Sequence, residues 1–188
     1  MKEQINKAYQ TIKEGGIILY PTDTIWGIGC DPKNENAIAK INKLKQRTSS
    51  KNYIILVDSE RLLSRYAKII PEVCYDLIDF AEKPLTIIYP KGQFVSKSVM
   101  ANDGSLGIRI VKQEFCVKLI QNLKSGIIST SANISGTKSP IAFNTVPDEI
   151  KKGVDYIVDL PQYQKTENKQ PSQIIKISEN SEVTIIRK

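Results

Sequence analysis

Apolar positions along this chain switch repeatedly between a period near 3.6 and a period near 2. Ile5, Ala8, Tyr9 and Ile12 recur at helical spacing, and Gly15-Gly16 closes that segment. "IILY" then reads as a buried strand stopped by Pro21, and "IWGIGCD" as a second short strand. "NAIAKINKLK" places Ala37, Ile38, Ile41 and Leu44 on one helical face. "YIILV" is a strand. "SERLLSRYAKI" and "PEVCYDLIDFA" are two consecutive helices, the second with Pro71 in its first turn. "PLTIIY" and "LGIRIV" are strands, "QEFCVKLIQNL" is a helix, and "GIIST", "YIVDL", "SQIIKI" and "VTIIRK" are strands.

About eight strands interleaved with five or six helices pack naturally as a three-layer α/β structure of α+β character: a twisted sheet with helices on its faces. The short link between the last two strands requires antiparallel pairing, so the sheet is mixed. A length of 188 residues suits a single domain over 1–188 with a sizeable core. The polar stretch 161–173 is the expected mobile loop.

Composition narrows the chemistry. No apolar run reaches the ~20 residues of a membrane span, and the polar N-terminus lacks the apolar centre of a secretory signal, so the expected location is the cytoplasm. Cys30, Cys74 and Cys116 have neither metal-ligand nor disulfide spacing and read as buried free thiols. Histidine is absent, which excludes Ser–His and Cys–His nucleophile pairs and histidine metal ligands. The formal charge of +7 fits either a solvated surface or an anionic partner such as a nucleotide or nucleic acid.

Three stretches carry candidate chemistry. In "YPTDTIWGIGCD", Thr22, Asp23 and Thr24 follow a strand and either satisfy turn amides or face a ligand, while Gly27 and Gly29 admit a close approach of backbone. In "KLKQRTSSK", Lys45, Arg47 and Lys51 either complement a helix C-terminus or grip a polyphosphate. In "SGIISTSANISGTKSP", Ser129, Ser131, Asn133 and Ser139 form either a hydroxyl-rich turn or a binding surface where a strand ends. No G-x-x-x-x-G-K-[ST] or G-x-S-x-G occurs.

In this order the three stretches resemble the YrdC-like family of threonylcarbamoyl-AMP synthases. "YPTDTIWGIGCDP" looks like its N-terminal signature, Lys45 and Arg47 its K-x-R, Ser131 and Asn133 its S-x-N, and "PLTIIYP", "GIRI", "PSQIIKI" and "TIIRK" its strands. The length resembles the short form without an extra C-terminal domain. The resemblance implies the YrdC-like fold and synthesis of threonylcarbamoyl-AMP and pyrophosphate from L-threonine, bicarbonate and ATP, with Mg²⁺ carried by ATP and no protein metal site. Partner proteins would then transfer the threonylcarbamoyl group to tRNA.

By the same resemblance, Lys45, Arg47, Ser131 and Asn133 are catalytic. ATP is held by Lys45, Arg47, Lys51, Ser105, Ser131, Asn133, Ser139 and Arg187, and threonine by Thr24, Arg109, Ser129 and Ser172, with Arg109 on the carboxylate. Thr48, Asn52, Leu56 and Gln173 depart from the family pattern, Leu56 standing where many relatives place a histidine near threonine. Two other readings compete. One is a non-catalytic module that binds RNA, double-stranded RNA included, in tRNA or ribosome maturation. The other is a carbamoyl-transfer relative acting on carbamoyl phosphate, although such relatives carry this domain inside a much longer chain. An RNA module wants aromatic platforms, and the 7% aromatic residues do not cluster with the basic stretch.

Overall fold

A computed structural model describes residues 1–47, 53–163 and 170–188. The chain runs α1 (Lys2–Lys13), β1 (Ile18–Pro21), β2 (Trp26–Gly29), α2 (Glu35–Leu44), β3 (Ile54–Val57), α3 (Glu60–Tyr66), α4 (Val73–Asp79), β4 (Leu85–Tyr89) and β5 (Leu106–Ile110). It continues through α5 (Glu114–Leu123), β6 (Ile127–Ser131), α6 (Asp148–Gly153), β7 (Tyr156–Ile157), β8 (Gln173–Ile177) and β9 (Val183–Arg187). The strands form one sheet in the order β7-β1-β2-β6-β3-β5-β4-β8-β9. Pairs β1·β7, β3·β5 and β4·β8 are parallel and the others antiparallel, so the sheet is mixed as expected.

Small differences from the periodicity reading have local causes. β1 stops at Pro21 as expected, but Pro21 itself still pairs with Trp26 as the last residue of the strand, where a missing N–H is tolerated. Pro71 precedes the N-cap of α4 instead of sitting in its first turn. "YIVDL" contributes only two paired residues, because β7 meets β1 over Ile18–Leu19 alone. The 161–173 stretch begins as a 3₁₀ turn, Pro161–Tyr163. Its residues 164–169 lie outside the described residues.

Strand alternation sorts side chains onto two faces. Ile18, Tyr20, Leu56 and Ile127 join Ile5, Ala8 and Ile12 of α1 and Phe115, Leu119 and Ile120 of α5 in one core cluster. Leu19, Trp26, Ile28, Ile55, Val57, Ile108 and Ile128 join Ala37, Ile38 and Ile41 of α2 and Leu63 and Tyr66 of α3 in the other. The three cysteines are buried and free, as their spacing suggested.

The α1–α5 layer covers only part of its face. Beyond it, the same face exposes Ile54 of β3, Thr86 and Ile88 of β4, Gly107 and Arg109 of β5, and Ile174 of β8, which floor a cleft of about 740 Å³. Gly29 shows how tightly the sheet is stitched at its other side. A Cβ there would stand 2.6 Å from the Ile128 carbonyl oxygen and 2.8 Å from the Tyr20 ring. Gly29→Ala is therefore expected to destabilise the protein by about 1–3 kcal/mol through overpacking, read as a lower urea midpoint at unchanged slope.

Candidate functional site

The basic end of the cleft is built by the way α2 stops. Asn34 caps its start, accepting from the Ala37 N–H at 3.0 Å. At its end Gln46 takes a left-handed conformation, φ 52°. Gln46 N–H donates to the Lys43 carbonyl and Arg47 N–H to the Asn42 carbonyl, both at 3.0 Å. This paired closure is a Schellman motif built without glycine, and it delivers Lys45 and Arg47 to the end of β6.

Lys45 is buried, and its Nζ donates to the backbone carbonyls of Ser131 and Asn133, the second at 2.5 Å. Burial, with the Arg47 charge adding to it, lowers its pKa from 10.5 to about 7. Between those two values the unfolded chain keeps a proton that the folded lysine has lost. The Lys45 contribution to stability therefore rises with pH across that window and is unfavourable below about 7. Arg47 Nη2 donates to Thr130 Oγ1 at 2.6 Å, and the guanidinium lies 4.7 Å from the Tyr53 ring centre. Its Nη1 is buried with no hydrogen-bond partner among the described residues. Lys51, expected beside them, lies outside the described residues, as do Thr48 and Asn52.

Across the floor, Arg109 is 3% exposed. Its Nη2 pairs with Asp23 Oδ1 at 3.0 Å and its Nη1 donates to Thr24 Oγ1 at 3.1 Å, while Nε has no partner. Thr22 serves the turn: its hydroxyl accepts from the Thr24 and Ile25 N–H groups and donates to the Ile25 carbonyl at 2.8 Å. Of the two readings of "TDT", both hold for Thr22, which serves the turn and lines the cleft, and Thr24 lines the cleft as well. Ser129 sits on β6 beside Ile54, and Ser131 beside Gly27. A Cβ on Gly27 would come 3.1 Å from Ser129 Oγ, so glycine keeps that wall low. The hydroxyls belong to a paired strand and look across the sheet face, where the sequence suggested a site beyond a strand end.

The remaining expected residues arrive from three other segments. Asn133 Nδ2 holds the loop after β6 through the Ile134 and Thr137 carbonyls at 2.9 and 2.7 Å, leaving Oδ1 buried and unpartnered. Ser139 lines the same loop. Ser105 donates through Oγ to Asp103 Oδ1 at 2.6 Å, and Asp103 pairs with Lys176 at 2.7 Å. Arg187 donates from Nε to the Ser172 carbonyl at 2.9 Å, and Ser172 Oγ lies 2.8 Å from Thr86 Oγ1. Arg187 thus sits against Ser172, the residue expected at the threonine end. Burial, then the Arg109 charge, lowers its pKa.

A bulge decides the direction of Arg187. Val183 and Ile185 pair with Ile177 and Ile175, which belong to the core facing α2 and α3. Simple alternation would put Arg187 on that same side. The register shifts between Ile174 and Ile175, so that Arg187 pairs with Ile174 and both line the cleft.

Every expected site residue that is described lines this one cleft. Sequence reasoning missed Thr86, Thr130 and Tyr53, and the pairing of Asp23 with Arg109. Thr86 had a signal: it is the polar position in the apolar run "LTIIY". Tyr53 had none, since its role follows from Arg47 lying over it. Leu56 is fully buried under α5 and does not line the cleft, although it pairs with Arg109 across β3 and β5. Among the described residues, the lining carries Lys45, Arg47, Arg109 and Arg187 and no carboxylate. Its unpartnered atoms, Arg47 Nη1, Arg109 Nε and Asn133 Oδ1, ask a ligand for two acceptors and one donor. Pockets of about 300–1,000 Å³ suit ligands of nucleotide size.

Comparison with known proteins follows this geometry. The Sua5/YciO/YrdC family model, described as telomere recombination, matches residues 10–188. The threonylcarbamoyl-AMP synthase of Idiomarina loihiensis is 30% identical over 162 residues, 85% of this chain and 87% of that protein. The structure of P. abyssi Sua5 complexed with L-threonine matches with a TM-score of 0.83 at 30% identity. That match covers 92% of this chain and 50% of the P. abyssi chain, so the present chain spans half the length of that relative. E. coli YciO shares the fold, with a TM-score of 0.85 at 22% identity over 100% of this chain and 90% of that one.

Proposed function

The chain belongs to the Sua5/YciO/YrdC family, and from that premise we propose that it is an L-threonylcarbamoyladenylate synthase, a nucleotidyltransferase. Threonine and bicarbonate condense to a carbamate with loss of water. A carbamate oxygen attacks the α-phosphorus of ATP, the bond to the β-phosphate oxygen breaks, and pyrophosphate leaves. The observation that carries this reading is the cleft itself, whose lining among the described residues holds four basic side chains and no carboxylate, in a chain similar to Idiomarina threonylcarbamoyl-AMP synthase and to a Sua5 complexed with L-threonine.

Lys45 and Arg47 hold the phosphates, and Ser131, Asn133, Ser139 and Ser105 the nucleotide. Thr24, Arg109, Ser129 and Ser172 hold threonine, with Arg187 between the two groups. Such chemistry needs positioning and charge stabilisation more than a strong base, so a chain without histidine can perform it. Among the described residues no group of three or more His, Cys, Asp or Glu side chains converges. Mg²⁺ would arrive as a passenger on ATP, where it neutralises phosphate oxygens. The product passes to threonylcarbamoyl-transferase proteins that modify tRNA, in the cytoplasm. No helix among the described residues is long and apolar enough to cross a membrane. The RNA-module reading has weaker support: the aromatic side chain in the cleft lining, Tyr53, lies against Arg47.

The test is pyrophosphate release by purified protein with ATP, Mg²⁺ and bicarbonate, with each amino acid in turn, and identification of the adenylate. Release should depend on threonine. Release that threonine does not raise sinks the synthase and leaves the RNA module.

Lys45 adds a pH signature. A bound phosphate restores the charge that burial removes, so ATP binding at pH 8 should take up a proton. Affinity should fall as pH rises above about 7, by up to about tenfold per unit. Calorimetry in buffers of different ionisation enthalpy measures the uptake. No proton uptake would mean that Lys45 does not meet the phosphates.

A further inference from the structure

Arg47 stands just past the C-cap of α2, where a long side chain has many rotamers open to it. Two contacts narrow the choice. Nη2 donates to Thr130 Oγ1, and the guanidinium carbon lies 4.7 Å from the centre of the Tyr53 ring, within reach of a cation–π attraction. The ring is itself fixed. Tyr53 is buried, and its hydroxyl donates to Asn42 Oδ1 at 2.7 Å. Asn42 belongs to α2, and its main-chain carbonyl accepts the Arg47 N–H at 3.0 Å. One helical residue thus holds Arg47 twice: directly at the backbone, and by way of Tyr53 at the guanidinium. This closed circuit leaves Nη1 buried with no partner among the described residues.

We propose that Tyr53, anchored by Asn42, is a positioning residue that sets the Arg47 guanidinium so that Nη1 meets a phosphate oxygen of the nucleotide. The proposal takes its ligand from the synthase reading and adds a residue that acts through Arg47. Thr130 alone does not suffice. One hydrogen bond to Nη2 lets the guanidinium plane turn about it, and a planar cation grips an oxygen well only when its plane is fixed. The ring supplies that restraint and also keeps water from one face of the cation, which strengthens its pull on an anion. The competing role is plain packing, since Tyr53 belongs to the core cluster facing α2 and α3. Packing would place the cost of a substitution in stability and spread it over both substrates.

The test is calorimetry of a non-hydrolysable ATP analogue with Mg²⁺, beside the KM values for pyrophosphate release and a thermal melt of each variant. Tyr53→Leu should weaken analogue binding roughly threefold to thirtyfold, the worth of a cation–π contact, and leave the KM for threonine within about twofold. Tyr53→Phe keeps the ring and should recover all but about twofold to fivefold of that loss. Asn42→Ala, at a residue outside the cleft lining, keeps the main-chain carbonyl and should show the same residual loss. In an Arg47→Ala background Tyr53→Leu should change nothing further, because the group it positions is gone. A folded Tyr53→Leu protein with native affinity overturns the proposal, as does an equal loss with and without Arg47, or a threonine KM that rises as much as the ATP KM. If Tyr53→Leu does not fold, Asn42→Ala decides, and native affinity there overturns the proposal. A native chain that binds the analogue yet shows no threonine-dependent release sinks the synthase reading and leaves this comparison standing. A native chain that binds no analogue overturns both.

Discussion

Arg47→Ala is expected to weaken ATP binding or slow threonine-dependent pyrophosphate release by roughly tenfold to a hundredfold, without unfolding the protein. The half-buried guanidinium is held by Thr130 Oγ1 at 2.6 Å and by the Tyr53 ring, yet its buried Nη1 has no partner among the described residues. A donor in that condition is set for an incoming oxygen, and losing a hydrogen bond to a charged group costs about 1.5–3 kcal/mol. The fold has little to lose. Arg47 stands beyond the end of α2, and its charge disfavours the neighbouring Lys45 charge. Removing it should raise the Lys45 pKa and move the pH dependence of ATP affinity upward. A surface arginine would instead change stability within about 0.5 kcal/mol and leave activity alone. Unchanged ATP affinity and turnover in a folded Arg47→Ala protein would exclude this arginine from the phosphate site.

Arg109→Lys should raise the KM for threonine by roughly tenfold to a hundredfold while the KM for ATP stays within about twofold. Arg109 spends Nη2 on Asp23 and Nη1 on Thr24 and still has Nε to offer. A lysine ammonium is a single point on a flexible stem and cannot keep both partners while turning a further donor into the cleft. Loss of one charge-assisted contact to a carboxylate accounts for the size of the effect. The selectivity for threonine follows from position: Arg109 lies beside Thr24 on the cleft floor, whereas Lys45 and Arg47 come from the end of α2 in the opposite helical layer. Equal changes in both constants, or no change, would remove Arg109 from the threonine site. Circular dichroism and a thermal melt separate this outcome from simple unfolding, since Asp23 loses its ion-pair partner in the variant.

Much of this was legible in the chain itself, and the reason is local. The alternation Ile108, Arg109, Ile110 sends two isoleucines to one face of β5 and the arginine to the other, because successive strand side chains point apart. Once Ile108 is in the core, Arg109 has only the cleft face left. The same period places Ser129 and Ser131 together on β6, and helical spacing in "NAIAKINKL" brings Lys45 to the end of α2. The three free buried cysteines and the mixed, helix-flanked sheet followed from composition and connection length in the same way.

What only the tertiary structure decided is non-local. No periodicity in "GIIST" says that β6 inserts between β2 and β3, yet that insertion puts Ser131 beside Gly27 and Ser129 beside Ile54. Asp23 and Arg109 are joined across 86 positions of sequence, and Leu56, the strand partner of Arg109, is kept out of the cleft lining under α5. Arg187 is the sharpest case. Its own strand pattern directs it away from the cleft, and a one-residue register shift against β8 turns it in. A side-chain period of two makes any single-residue slip reverse a residue's face, and the slip exists only in the pairing of β9 with β8, where β9 carries one residue more.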